Sequence, residues 1–249
     1  MAYSNFVGER SLLRGGTASK RERSALIGTH FASYCHSDLY HKICKGVILS
    51  MKALQIAQAG VCRFLDLPMP ELVNDDSVIV EVKCVGICGS DVHSYVDGNN
   101  CPVIPGHEVV GIVHSKGKNV AKLELGDHVV LEPLVSCGEC YACKKGIPNV
   151  CEKAMCIGCQ TDGGMREFFQ YDQHHWHRIP KELPFDTASL IEPYTVGLEV
   201  VSRGEVMRGD TVLIHGAGPA GLIAMDLAKR RGATCIVSEA VDGLSLIHI

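Results

Sequence analysis

The sequence lacks a long apolar run, a strong net charge and a recognisable secretory signal peptide, and each absence excludes a class of protein. No stretch approaches the roughly 18 consecutive apolar residues that indicate a membrane span. The formal net charge of −4 gives no reason to expect nucleic acid or an anionic membrane as a partner. With 46% hydrophobic and 21% charged residues, the composition is that of an ordinary globular protein. A chain of 249 residues has room for one large domain or two modest ones.

Cysteine and histidine are abundant instead, with 13 and 12 residues. The cysteines are odd in number and locally clustered, and no secretory signal precedes them. This usage favours a reducing compartment, and we expect a cytoplasmic protein that uses its thiols to bind metal rather than to form disulfides.

The chain divides unevenly along its length. Residues 1–50 are basic and show no sustained periodic pattern, so we expect an extension that is not part of the fold. Residues 51–200 are predicted to form a β-rich, barrel-like domain that ends in one or two helices within residues 186–201. Its predicted strands are short β-branched runs at residues 51–56, 77–84, 109–113 and 128–131. Residues 201–240 begin a βαβ unit, with strands at 211–215 and 235–237 around a helix at 222–231.

Four cysteines lie close together in a predicted lobe at residues 133–155: Cys137, Cys140, Cys143 and Cys151. Tetrahedral zinc needs four soft donors about 2.3 Å from the metal, and short Cys-x-x-Cys steps can bring two thiolates to one ion. Because four thiolates leave no open coordination position, this zinc should be structural. The alternative, four unrelated buried thiols, fits the spacing poorly.

A second, more diffuse set of metal-binding residue types lies upstream. Cys88, His107 and Glu108 offer the mixture of sulfur, nitrogen and oxygen ligands that suits a catalytic zinc with one open position. Alone this set would be weak, since a histidine after a glycine is more often a residue of a turn. Its place ahead of the four-cysteine lobe and a dinucleotide motif strengthens the prediction.

A glycine fingerprint follows the strand predicted at residues 211–215. It has the pattern G-x-G-x-x-G between a strand and a helix, the context in which it binds a dinucleotide. Glu239 lies 18 positions after the last glycine, where a carboxylate would accept hydrogen bonds from ribose and repel a 2′-phosphate. This favours NAD over NADP. The predicted cofactor-binding residues are Gly216, Gly218, Pro219, Ala220, Gly221 and Glu239.

These motifs together resemble the zinc-dependent medium-chain dehydrogenases, from about Met51 to Glu239. The resemblance implies an α/β protein: a GroES-like β-barrel catalytic domain followed by a Rossmann domain, here incomplete. It assigns the catalytic zinc to Cys88 and His107 and the structural zinc to the four lobe cysteines, which makes two zinc ions per chain. The segment around Glu192-Pro193 has no cysteine, unlike the alcohol dehydrogenase branch. It resembles the polyol, threonine and sugar-acid branch, which implies that Glu108 is the third ligand and that Glu192 approaches the metal directly or through water.

The implied reaction is oxidation of a secondary alcohol, such as a polyol or hydroxy acid, to a ketone with NAD. Zinc lowers the pKa of the substrate hydroxyl, and Ser90 accepts its proton and passes it toward His93. Asp91 orients the metal site from behind. A homo-oligomer is implied for the full-length form.

Two alternatives stay open: a simple alcohol dehydrogenase, and a non-catalytic zinc-binding module that keeps only the scaffold. Residues 241–249 do not continue the family pattern, and their sequence Leu-Ser-Leu-Ile-His-Ile is similar to one reading frame of a sequencing adapter. We therefore expect a truncated gene, with a non-family tail.

Overall fold

The structure is a computed structural model that describes residues 50–238. The predictions for the N-terminal extension and the non-family tail, and the prediction for Glu239, lie outside the described residues. Among the helices of residues 50–238, none combines the length and the apolar character needed to cross a bilayer.

Short strands dominate the first part of the described chain, and helices the second. The strands are β1 (Ser50–Gln58), β2 (Val61–Pro68), β3 (Ser77–Gly86), β4 (Glu108–Lys116), β5 (His128–Leu131), β6 (Leu134–Val135), β7 (Met155–Cys156), β8 (Phe168–Asp172), β9 (Trp176–Arg178), β10 (Thr211–His215) and β11 (Thr234–Ser238). The α-helices are α1 (Gly89–Asp97), α2 (Tyr141–Lys144), α3 (Phe185–Ala188), α4 (Ile191–Arg203) and α5 (Pro219–Arg230). Single 3₁₀ turns lie at Pro148–Val150 and Gln173–His175.

A five-stranded antiparallel sheet in the order β8-β3-β4-β5-β9 carries the main core. Valine recurs at alternate positions of β3, and valines of β4 join it in the core, because β-branched side chains pack well on one face of a pleated sheet. The aromatic side chains of Phe169 and Trp176, from the two edge strands, complete the cluster. Its fully buried members include Val78, Val80, Val109, Val129 and Ile157.

The end of the β3–β4 pair places the predicted catalytic-metal residues. Gly86, the last residue of β3, pairs with Glu108, the first residue of β4. Two residues after Gly86, Cys88 is the N-cap of α1, where its backbone N–H donates to Asp91 Oδ2 at 2.9 Å. Cys88, His107 and Glu108 therefore meet where one strand ends and its antiparallel neighbour begins.

The last elements form the predicted βαβ unit. β10 and β11 pair in parallel, and α5 lies between them in sequence and packs on α4. The predicted start of α5 at Leu222 is wrong, because the helix begins at Pro219. Proline is favoured in the first turn, where its missing N–H would have no partner within the helix, and Gly218 before it is extended.

Candidate functional site

The four lobe cysteines converge as the spacing predicts. Neighbouring Sγ atoms lie 3.5 Å apart for Cys140–Cys143 and Cys151–Cys137, and 3.9 Å apart for Cys137–Cys143 and Cys140–Cys151. Four sulfurs at about 2.3 Å from one tetrahedral zinc would be about 3.8 Å from one another. The residues of the lobe therefore fit a closed four-thiolate zinc site, which is what the sequence predicts.

Backbone amides support these sulfurs. The N–H of Cys140 donates to Cys137 Sγ at 3.3 Å, and the N–H groups of Cys137 and Lys153 donate to Cys151 Sγ at 3.4 and 3.3 Å. Backbone hydrogen bonds lower the pKa of the Cys140 thiol to about 6, whereas burial raises the pKa of the neighbouring Cys143 thiol to about 11. Such donors stabilise thiolates, which are the form that binds metal.

The predicted catalytic-metal residues also come together. One ligand atom from each of Cys88, His107 and Glu108 lies within 4.8 Å of the other two, close enough to share one ion. His107 and Glu108 are 5% and 8% exposed, so this cluster lies inside the protein, unlike the lobe. A hydrogen bond with His107 lowers the pKa of the Cys88 thiol.

The carboxylates around this cluster are buried or half-buried. Burial raises the pKa of Glu108, Asp91 and Glu192. The fit around Glu108 is close, since a Cβ on Gly86 would lie 1.9 Å from Glu108 Oε2. Buried carboxylates are costly unless a cation or donor compensates them. The donor set therefore fits a divalent cation, although zinc binding by these residues stays a prediction.

Two further thiols, which the sequence pattern did not predict, lie close to the same histidine. Cys159 Sγ lies 3.5 Å from His107 Nδ1, and Cys156 Sγ lies 2.9 Å from Cys159 Sγ. Burial opposes the charge on His107, but hydrogen bonds to Cys159 and Cys88 outweigh it and raise the pKa of the imidazole to about 11. The hydrogen bond from Cys156 lowers the pKa of Cys159 to about 5. The Cys-x-x-Cys spacing of the pair was visible, but its nearness to His107 was not.

The other predicted catalytic residues do not all line the cavity. Ser90 and Glu192 line the same cavity as His107. Asp91 is buried behind the cluster, with Oδ1 3.8 Å from His107 Nδ1. His93 is exposed one turn further along α1, and within residues 50–238 the cavity lining does not include it.

The glycine fingerprint forms a tight turn between β10 and α5. Gly216 has φ +99°, a conformation that L side chains rarely adopt. A Cβ on Gly221 would lie 2.0 Å from the Gly216 carbonyl oxygen, so strand and helix pack in direct contact there. A Cβ on Gly218 would meet nothing within 4 Å, which leaves the helix N-terminus open to a ligand. Pro219 and Ala220 form the first turn of α5.

One cavity of about 830 Å³ joins the metal cluster to this glycine turn. On one side it is lined by Cys88, Ser90, His107 and Glu108, and on the other by Gly216, Gly218 and Pro219. The volume falls within the range of roughly 300–1,000 Å³ that small-ligand sites usually have. The site therefore has room for two adjacent small groups, one at the metal ligands and one at the helix N-terminus.

Comparison with known proteins agrees with this geometry. Residues 74–181 match the family model of the alcohol dehydrogenase GroES-like domain. The chain is 36% identical over 204 residues to sorbitol dehydrogenase of Bacillus subtilis, covering 79% of this chain and 58% of that protein. It is 37% identical over 222 residues to (R,R)-butanediol dehydrogenase of Saccharomyces cerevisiae, covering 77% of this chain and 58% of that protein.

A solved structure shows the same fold. The Escherichia coli CFT073 protein described as a short chain alcohol dehydrogenase, complexed with NADH, superposes with a TM-score of 0.73 at 34% identity. The alignment covers 78% of this chain and 58% of that one. The chain thus spans less than two thirds of the length of these relatives. Residues 74–181 therefore belong to the alcohol dehydrogenase GroES-like domain family, and the fold, the motifs and these likenesses are those of the medium-chain zinc dehydrogenases.

Proposed function

We propose that this chain carries the catalytic domain and the start of the cofactor domain of a zinc-dependent polyol dehydrogenase, which oxidises a secondary alcohol to a ketone with NAD. The observation that carries the proposal is the shared cavity: the donor set of Cys88, His107 and Glu108 and the glycine turn at Gly216–Gly218 open onto the same space. Hydride transfer requires the alcohol carbon and the nicotinamide to be in contact, and this cavity offers adjacent places for them.

The residues of the chain divide the work as follows. When bound, zinc supplies a Lewis acid at the substrate hydroxyl, and the nicotinamide supplies a hydride acceptor. Ser90, exposed at the cavity wall, accepts the hydroxyl proton and releases it to solvent. Asp91 fixes the position of Cys88 through the backbone N–H. Glu192, in the first turn of α4, lines the cavity and would approach the metal directly or through water.

We propose that His93 relays the proton beyond Ser90, because both residues lie on the same short helix.

We also propose two zinc ions per chain, since the lobe and the cavity offer separate ligand sets. The clustering of cysteines at metal-ligand spacing favours a reducing compartment such as the cytoplasm. A homo-oligomer of the full-length form is part of the same proposal.

The test is NADH formation by the zinc-loaded chain after its nucleotide-binding domain has been completed from the Bacillus subtilis relative. We expect oxidation of sorbitol or 2,3-butanediol, and loss of turnover in His107→Ala with the lobe zinc retained. Turnover that survives in His107→Ala would contradict the proposal. Full zinc occupancy without turnover on any alcohol would favour the non-catalytic module, and a preference for primary alcohols would favour a simple alcohol dehydrogenase.

The proposed preference for NAD rests on Glu239 and has its own test in the same completed protein. Glu239→Ala should weaken the preference by roughly 1–3 kcal/mol, the contribution of one charge-assisted hydrogen bond. The measurement is the ratio of kcat/KM with NAD to that with NADP. An unchanged ratio would remove Glu239 from the cofactor site.

A further inference from the structure

A tight turn brings Cys156 and Cys159 together. The N–H groups of Cys159 and Gln160 both donate to the Cys156 carbonyl oxygen, at 3.1 and 3.0 Å. A turn closed by such a bond holds the first and fourth Cα atoms within about 7 Å. A disulfide typically spans Cα atoms about 4.4–6.8 Å apart. The two cysteines can therefore be joined with little movement of the backbone.

His107, Cys156 and Cys159 also have ligand atoms within 4.8 Å of one another, but the distance between the two sulfurs differs from that of a zinc-bound pair. Cys156 Sγ and Cys159 Sγ lie 2.9 Å apart, whereas the lobe pair Cys140–Cys143, with the same Cys-x-x-Cys spacing, lies 3.5 Å apart. Two thiolates on one tetrahedral zinc would be about 3.8 Å apart. The lobe pair approaches that value and the turn pair does not. The turn pair thus has the geometry of a dithiol that closes on itself.

Close backbone packing fixes this dithiol beside the metal cluster. A Cβ on Gly158 would lie 2.3 Å from the Gly106 carbonyl oxygen, so the turn rests directly on the segment that ends in His107. Cys159 Sγ consequently lies 3.5 Å from His107 Nδ1. Both thiols line the cavity that also holds the predicted metal ligands, so a small solute that enters the cavity can reach them.

We propose that Cys156 and Cys159 form a redox-active dithiol, which a peroxide converts to an intramolecular disulfide at the wall of the catalytic cavity. The formation of the disulfide stands on the geometry of the turn alone. Only its effect on the proposed catalytic site, where His107 would lose two thiol neighbours, rests on the proposed function.

The chemistry balances with one hydrogen peroxide per disulfide. The Cys159 sulfur attacks one peroxide oxygen, the O–O bond breaks, and the leaving hydroxide takes a proton to become water. The Cys156 sulfur then attacks the resulting sulfenic sulfur, the S–O bond breaks, and a second water leaves. Two thiols are oxidised by two electrons, and the peroxide is reduced to two waters. A thiol reductant reverses the change by exchange.

The sequence provides a direct assay. Trypsin releases Ala154–Arg166, which contains Cys156 and Cys159 and no other cysteine. The zinc-loaded full chain is treated with hydrogen peroxide, alkylated, digested and analysed by mass spectrometry. We expect this peptide to lose both alkylation sites and two hydrogens, and to regain both sites after reduction with dithiothreitol. The lobe peptide Leu123–Lys144 and the exposed thiol of Cys62 serve as internal controls that stay alkylatable.

Three cysteine variants test which thiols form the disulfide. Cys156→Ser and Cys159→Ser should each abolish the two-hydrogen loss, while Cys62→Ser should leave it unchanged. Full alkylation of Ala154–Arg166 after peroxide, a disulfide from Cys159 to Cys88, or equal oxidation of the Cys140–Cys143 pair would each overturn the proposal. Zinc content measured in the same samples tests the proposed metal site separately, so failure of one proposal is not mistaken for failure of the other.

Discussion

The two thiol clusters of this protein differ in how they are built. The lobe is a single loop whose four sulfurs approach the corners of a tetrahedron, with edges of 3.5–3.9 Å and supporting backbone N–H groups. The cavity cluster gathers a thiol, an imidazole and carboxylates from separate segments, with a further dithiol against the same imidazole. The lobe is closed and uniform, which suits a structural ion. The cavity cluster has several kinds of donor atom and lines a space that can hold a ligand, which suits a catalytic ion.

The difference predicts unequal responses to loss of a ligand, and the largest belongs to the lobe. In Cys140→Ser we expect the loss of one zinc per chain and local unfolding of residues 133–155, because metal binding and folding are one equilibrium there. Zinc analysis and hydrogen exchange of the lobe measure both effects. Cys62→Ser, at an exposed thiol outside both clusters, is the control. Unchanged zinc stoichiometry in Cys140→Ser would show that the four cysteines do not share an ion.

Zinc affinity in the cavity should depend instead on the space beside the side chain of Glu108. Gly86→Ala places a methyl group 1.9 Å from Glu108 Oε2, so the carboxylate must leave the position in which it meets Cys88 and His107. We expect zinc affinity in the cavity to fall by about 10–100-fold, the range seen when support of a ligand is lost. Competition with a chromophoric chelator measures the change.

Gly89→Ala is the matched control, because a Cβ at Gly89 meets nothing within 4 Å. Equal zinc affinity in the Gly86→Ala and Gly89→Ala variants would remove Glu108 from the ligand set. Circular dichroism of both variants separates a local effect from general unfolding.

A smaller effect on zinc affinity is expected at Asp91, which lies behind the cavity cluster. Asp91→Asn keeps an acceptor for the Cys88 N–H but removes the negative charge 3.8 Å from His107 Nδ1. We expect zinc affinity to fall by about tenfold, at the low end of such outer-shell effects. The lobe zinc should be unaffected. If this variant binds zinc as the wild type does, Asp91 only stabilises the start of α1 through its hydrogen bond with the Cys88 N–H.

The two clusters also show what a sequence can predict. The lobe was predictable because its ligands are neighbours, and a Cys-x-x-Cys step limits where two sulfurs can be. The strands at residues 77–84 and 128–131 were predictable because β-branched runs between turn residues have few other structures.

Cys156 and Cys159 were missed for the opposite reason. Their approach to His107 depends on the packing of Gly158 on Gly106, a contact between distant segments that no local pattern announces. The start of α5 was misplaced because apolar periodicity begins later than the helix, at Leu222, whereas Pro219 opens it. Contacts across the fold and capping geometry, rather than composition, account for both errors.

The central claim is that one chain holds two zinc ions in different ligand shells. Zinc K-edge X-ray absorption on wild type and His107→Ala tests it most directly. The wild-type spectrum should contain sulfur at about 2.3 Å together with nitrogen and oxygen at about 2.0–2.2 Å. In His107→Ala the nitrogen and oxygen component should disappear, leaving a shell of sulfur alone. Persistence of that component in His107→Ala, or a wild-type shell of sulfur alone, would contradict the account.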